Sequence, residues 1–255
     1  MFGSSPLLAA TARLRSINRQ MSTAIKAPFV LYTEGTPNGR KVSVYLEELK
    51  SIYGTKVAYD VEHISLRTNK QKEPWYIQTL SPNGKIPVLV DRNRPTTTGA
   101  EGFAVFETAA ILLYLSQHYD PDHKLWFDVA KQPADYSEML QWIFFAHGGV
   151  GPMQGQSSHF NKFAPEDIPY AKKRYLDEVK RLYGVLEIRL QSRNYLAGPG
   201  TGVFSIADIN VFPWIRGYKF AGIESLDEFP RLKAWVDRIE ARPAVQVGLT
   251  IPKTQ

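Results

Sequence analysis

The hydrophobic period of the chain changes at Thr36-Pro37-Asn38-Gly39, and this change limits what the first third can become. Before it, Phe29-Val30-Leu31-Tyr32 is a run of β-formers; after it, Val42, Tyr45, Leu46 and Leu49 recur at i, i+3, i+4 and i+7, the spacing of an amphipathic helix. The pattern predicts a strand followed by a helix from about Pro37 to Ile52. Thr36 stands at the N-cap, Pro37 at the first helical position, and Asn38 and Gly39 where backbone N–H groups lack an intrahelical partner. Free amides and the helix dipole favour a thiolate, carboxylate or phosphate there. Taken alone, the same residues also describe a plain helix cap.

The following segments extend this unit. Val57 to Ile64 alternates as a half-buried strand does, and residues 65–72 form a polar linker. A short helical turn is expected around Pro74 to Thr79, then the turn Ser81-Pro82-Asn83-Gly84 and a strand from Ile86 to Val90. Pro95, three threonines, Gly99 and Gly102 mark a hairpin loop before the strand Phe103-Ala104-Val105-Phe106. Strands joined in this way pair antiparallel. A helix is expected from Glu107 to His118.

This order, β-α-β then β-β-α, is a compact α/β domain with a mixed sheet over residues 28–120. After a linker at 121–132, residues 133–255 read as all-helical. Met139, Leu140, Ile143 and His147 share one helical stripe, Tyr175, Val179, Leu182, Leu186 and Leu190 a second, and Leu232, Trp235, Val236 and Ile239 a third. Ser205 with Asp208 forms a capping box, and Phe204 against Ile209 a hydrophobic staple.

The 255 residues include no cysteine. That excludes disulfides, a cysteine nucleophile and thiolate metal ligands belonging to the protein, so thiol chemistry here requires a borrowed thiol. No apolar run approaches the ~20 residues of a membrane-spanning helix, and no membrane partner is expected. Of the net charge of +6, the first 27 residues supply four through Arg13, Arg15, Arg19 and Lys26, with no acid among them. The remaining +2 makes the pI of 9.3 weak support for nucleic-acid binding. Leu7, Leu14, Ile17 and Met21 lie at near-helical spacing in the same segment, which fits either a mitochondrial transit peptide or a disordered tail. The expected location is accordingly mitochondrial or cytoplasmic.

Several motifs resemble those of the glutathione transferases: Asn83-Gly84-Lys85-Ile86-Pro87, Phe106-Glu107-Thr108-Ala109-Ala110-Ile111 and Ser205-Ile206-Ala207-Asp208. Over Pro28 to Val247, Thr36-Pro37-Asn38-Gly39, Leu140-Gln141-Trp142 and Gly148-Gly149-Val150-Gly151-Pro152-Met153 are similar, more narrowly, to the Nu class and the yeast nitrogen-regulator-like transferases. The resemblance implies a thioredoxin-like N-terminal domain, a helical C-terminal domain and a homodimer. It implies glutathione as cosubstrate with no metal. The expected activity is glutathione-dependent disulfide reduction, with peroxide as a further substrate. Conjugation of electrophiles, or a non-enzymatic regulatory role, are the alternatives, although the Asn/Gln-rich segment of the yeast regulator has no counterpart before Pro28.

The resemblance also assigns candidate site residues. Ile86-Pro87 is expected to be cis, with the backbone before the proline pairing with the cysteinyl part of glutathione like an added strand. Glu107 is expected to pair with the γ-glutamyl amine, and Thr108 with the free amides of its helix to take the γ-glutamyl carboxylate. Lys85 is a counter-charge or a solvated lysine. Arg174 sits where the narrower relatives carry an arginine near glutathione, or is solvated. Thr36 and Asn38 are the candidate catalytic donors. Lowering a thiol from ~8.5 by two units requires roughly 2.7 kcal/mol, whereas a helix N-terminus supplies about 0.3–1 kcal/mol. One or two hydrogen bonds to the anion, at about 1.5–3 kcal/mol each, close the gap.

Other residues receive plainer readings. Tyr32 lies within the strand and is assigned to the core. Gly148-Gly149-Val150-Gly151 lacks a phosphate-loop ending and is expected to bend or closely pack a helix. His147 and His159 have no metal-ligand set. Trp142, Phe144, Phe145, Phe160 and Trp214 are expected in the core or in the wall of a second-substrate site.

Overall fold

The computed structural model describes residues 26–96 and 98–253; residues 1–25 of the basic leader, and with them its expected targeting role, lie outside them. β1 (Phe29–Thr33) leads into α1 (Pro37–Tyr53) through a turn that only glycine permits at position 39. A Cβ on Gly39 would stand 2.1 Å from the Glu34 carbonyl oxygen and 2.5 Å from Thr33 Oγ1, far inside contact distance. β2 (Tyr59–His63), α2 (Pro74–Thr79), β3 (Val88–Asp91), β4 (Phe103–Phe106) and α3 (Thr108–Tyr119) complete the first domain. The sheet order is β2-β1-β3-β4, with β1 parallel to β2 and both other pairs antiparallel. The expected mixed sheet and the antiparallel β3–β4 pair are present.

Alternation along β1 divides its side chains between two cores. Phe29 and Leu31 join the large cluster that also contains α1, α3 and the helical half, whereas Val30 joins a smaller one with Ile64, Tyr76, Leu80, Val88 and Val90 under α2. Three boundaries differ from expectation. β2, an edge strand, is exposed from Asp60 to His63 rather than half-buried, and only Tyr59 of its residues packs on the core. β3 begins at Val88, since Pro87 has no N–H for the ladder. α3 begins at Thr108, leaving Glu107 outside the helix with φ +69°.

The second half contains α4 (Pro133–Phe145), α5 (Gly151–Lys162), α6 (Pro169–Arg189), α7 (Ile206–Arg216), α8 (Pro230–Glu240) and α9 (Pro243–Leu249). Between α4 and α5 the glycine-rich stretch forms a wide π turn, Ala146–Val150. The expected close packing is present, since a Cβ on Gly149 would stand 3.1 Å from Leu182 and one on Gly151 3.1 Å from Trp214 Nε1, and the π turn takes His147 off the 3.6-residue stripe of α4.

The two halves share one core. Large buried side chains from Phe29 to Val245 form a single cluster, and α9 returns to lie against α1. There Ser43 Oγ donates to the Gly248 carbonyl at 2.7 Å, and Arg242 makes a two-pronged contact with Glu48 at 2.7 and 2.8 Å. A Cβ on Gly248 would meet Val44 Cα at 2.5 Å, so glycine permits this close approach. The result holds the N-terminus of α1 at a fixed position relative to α7, where the site forms.

Candidate functional site

A cavity of about 370 Å³ opens where the start of α1, the loop before β3 and the start of α3 face α5, α7 and the π turn. That volume lies in the range of small-ligand sites, about 300–1,000 Å³. Of the residues the sequence singles out, it brings together Asn38, Lys85, Ile86, Pro87, Glu107 and Thr108. The Ile86-Pro87 bond is cis, and Ile86 precedes the β3 ladder, so its backbone edge is not committed to a strand neighbour there.

Thr36 does not line the cavity. Its Oγ1 accepts from the Gly39 N–H at 3.1 Å as the N-cap of α1, which leaves its hydroxyl hydrogen available to donate. Arg174 lies elsewhere within this chain, in a surface depression with Tyr170, Lys173, Asp177, Glu178 and Arg181. Of the five aromatic candidates only Trp214 reaches the cavity. Phe144 is 60% exposed, and Trp142 lies beneath the Arg189 guanidinium.

The geometry fixes the orientation of Asn38. Trp214 Nε1 donates to Asn38 Oδ1 at 3.1 Å, and an indole nitrogen can only donate. The amide oxygen must therefore face the indole, and the NH2 group is presented away from it. A buried chain holds Trp214: Tyr183 Oη donates to Gln154 Oε1 at 2.8 Å, and Gln154 Nε2 donates to the Trp214 carbonyl at 2.6 Å. Gly151 provides room for the indole, since a Cβ there would stand 3.1 Å from Nε1. The α1 terminus thus carries an amide donor set in advance.

Glu107 is the strained residue of the site. A non-glycine residue at φ +69° costs about 1–3 kcal/mol and persists only where surrounding contacts enforce it. Its carboxylate accepts from Asn83 Nδ2 at 3.4 Å and lies 3.3 Å from His147 Nε2. Thr108 opens α3, so the amides of that helix start are unpaired beside its hydroxyl. Lys41, which the sequence reading did not single out, also lines the cavity and is 1% exposed. Burial holds its ammonium down at about 7, with the Glu107 charge opposing that shift. Its place was detectable in the pattern, since Lys41 stands four residues before Tyr45 and eight before Leu49 on the buried stripe. Among the described residues no group of three or more His, Cys, Asp or Glu side chains is placed to hold a metal ion.

A thioredoxin-like sheet joined to a helical domain, with a helix start, a cis-proline loop and an acidic–hydroxyl pair converging on one cavity, defines the glutathione transferase class. Family models for the glutathione S-transferase N-terminal and C-terminal domains match residues 36–118 and 154–243, and the chain belongs to that family. It is 38% identical over 219 residues to the Escherichia coli disulfide-bond oxidoreductase YfcG, covering 86% of this chain and 93% of that protein. A glutathione transferase homolog from Lodderomyces elongisporus, solved with two GSH per subunit, superposes with a TM-score of 0.79 at 35% identity, covering 88% of this chain and 99% of that one. The Phanerochaete chrysosporium transferase URE2P6, solved with oxidized glutathione, gives 0.76 at 33% identity over 87% of this chain and 94% of that one.

Proposed function

We propose that this protein binds glutathione as its cosubstrate and reduces small disulfides with the bound thiolate. The observation that carries this reading is the Asn38 amide, locked by Trp214 with its NH2 group available at a helix start, in a chain without cysteine. Such a site activates a thiol that arrives with the ligand. Asn38 donates to the anion, and Thr36, outside the cavity lining, caps the helix start that carries Asn38. Ile86 aligns the cysteinyl backbone, and Glu107 and Thr108 hold the γ-glutamyl end. The thiolate sulfur attacks one disulfide sulfur to form a mixed disulfide and expel the other as a thiolate. A second glutathione thiolate then attacks the mixed disulfide, giving glutathione disulfide and the second reduced thiol. The similarity to a disulfide-bond oxidoreductase and to a transferase solved with oxidized glutathione supports the same chemistry. A peroxide would be reduced through the same thiolate.

The test compares glutathione-dependent reduction of a small model disulfide with conjugation of an aromatic halide, using the purified chain. Fast disulfide turnover with slow conjugation is expected. The reverse ratio replaces the reading with electrophile conjugation, and glutathione binding without either activity replaces it with regulation.

The proposal includes a homodimer. Phe103 and Phe106 on edge strand β4 and Phe144 on α4 leave aromatic surface exposed, which a second copy would cover. The expected mass in solution at micromolar concentration is twice that of the chain; a monomeric mass there rules the dimer out.

A further inference from the structure

Lys41 is a buried amine that, among the described residues, makes no ion pair. It is 1% exposed, and among the described residues its one hydrogen bond runs from Nζ to Thr108 Oγ1 at 3.4 Å. An ammonium has three donors, and a lysine this deeply buried is ordinarily paired. It lies one turn after Asn38 on the same face of α1, and both line the cavity.

The groups around it come from every element that borders the cavity. α3 and its approach provide Thr108 and Glu107. The loop before β3 provides Ser81, Asn83 and Lys85, the π turn His147, α5 Gln156 and α7 Trp214. The one acid among them, Glu107, is engaged with Asn83 and His147. Lys85 is a second cation and cannot serve as partner. An anion that completes the Lys41 environment therefore has to enter with a ligand.

We propose that Lys41 is the receptor for the α-carboxylate at the γ-glutamyl end of glutathione, and that it takes up a proton when this carboxylate arrives. The inference rests on the glutathione reading above. Thr108 Oγ1 accepts from Lys41, which turns its own hydrogen toward the same carboxylate. The free amides at the start of α3 complete the cradle. The sign of the proton linkage follows from burial. The empty site holds Lys41 near 7, so near pH 7.5 it is largely neutral, and an adjacent carboxylate favours the charged form. Binding therefore draws in a proton above about pH 7 and draws in little below pH 6, where Lys41 is already charged.

Calorimetric titration of the full chain with S-methylglutathione, which has no thiol proton to release, tests this. Run at pH 7.5 in buffers of differing ionisation enthalpy, it should report uptake of about half a proton or more. The same titration with the analogue whose γ-glutamyl residue is replaced by 4-aminobutyrate, lacking the α-carboxylate, should show no uptake. In Lys41→Met the uptake should vanish and affinity for S-methylglutathione should fall about tenfold or more, while affinity for the analogue stays unchanged. Wild-type binding of S-methylglutathione without proton uptake overturns the proposal, as does an equal loss of both ligands in the variant. The two wild-type titrations decide the question by themselves if Lys41→Met does not fold. No binding of S-methylglutathione at all overturns the glutathione reading first, and the Lys41 assignment with it.

Discussion

Asn38→Ala should lower disulfide turnover about 3- to 20-fold near pH 6.5 and should lose much less near pH 9. A hydrogen bond to an anion contributes about 1.5–3 kcal/mol, which corresponds to roughly one to two units in the pKa of the bound thiol. Below that pKa each unit of increase removes about tenfold of the thiolate. The attacking sulfur simultaneously becomes more nucleophilic, by about threefold per unit at a Brønsted slope of ~0.4–0.5. The net loss is therefore about three- to fourfold per unit, and it disappears once pH exceeds the raised pKa. A residue that only shaped the cavity would depress turnover equally at all pH values. Trp214→Phe should show a weaker form of the same pH-dependent loss, because the amide is then free to rotate its oxygen toward the sulfur. The measurement is turnover against pH beside the ultraviolet absorbance of the bound thiolate. A pH-independent deficit with an unchanged thiolate absorbance removes Asn38 from thiol activation.

The elements that were legible before the structure are those whose determinants are local. The period change at Thr36, the Gly102–Phe103 hairpin exit and the Ser205–Asp208 capping box each depend on residues within a few positions of one another, and each is present. β2 departs from the expected half-burial because alternation reports which residues share a face and not how much covers that face: Tyr59 packs on the core, while Asp60 to His63 stay exposed. His147 was placed on the wrong element because the π turn at Ala146–Val150 interrupts the 3.6-residue period. The orientation of Asn38 depends on Trp214, 176 positions away, and on Gln154 and Tyr183 behind it; no spacing rule encodes such a contact. Lys41 is hidden for a different reason. Its position on the stripe of Tyr45 and Leu49 was visible, but a lysine on a buried stripe is usually taken for a flanking charge, because lysine is seldom fully buried. Where the pattern places a charge on a core face, the exception marks a place to look for a ligand.

Asp208→Ala should destabilise the protein by about 3 kcal/mol near pH 7, and the deficit should widen at pH 5. The fully buried carboxylate accepts from Leu196 N–H and Trp235 Nε1 through Oδ1, at 3.0 and 2.9 Å, and from Ser205 N–H through Oδ2 at 3.1 Å. Removing it orphans three buried donors, at about 1–3 kcal/mol each. Burial opposes part of this loss. It raises the Asp208 carboxyl from 3.8 to about 6 against the pull of those donors, so holding the charged form near pH 7 costs the fold roughly 3 kcal/mol. The lower end of the three-donor range, about 3 kcal/mol, is the expected net loss, which for a chain of this size lowers Tm by roughly 6–12 °C. The pH dependence follows from the same shift. The folded state binds a proton more readily than the unfolded chain between 3.8 and about 6, so the wild-type carboxyl stabilises the fold as pH falls through that window. The alanine variant has no such group, and the gap between the two should grow by about 1 kcal/mol from pH 7 to pH 5. Paired thermal or denaturant unfolding at the two pH values measures it. A gap that narrows toward pH 5 would show that the three donors outweigh burial and hold Asp208 as a stabilised anion.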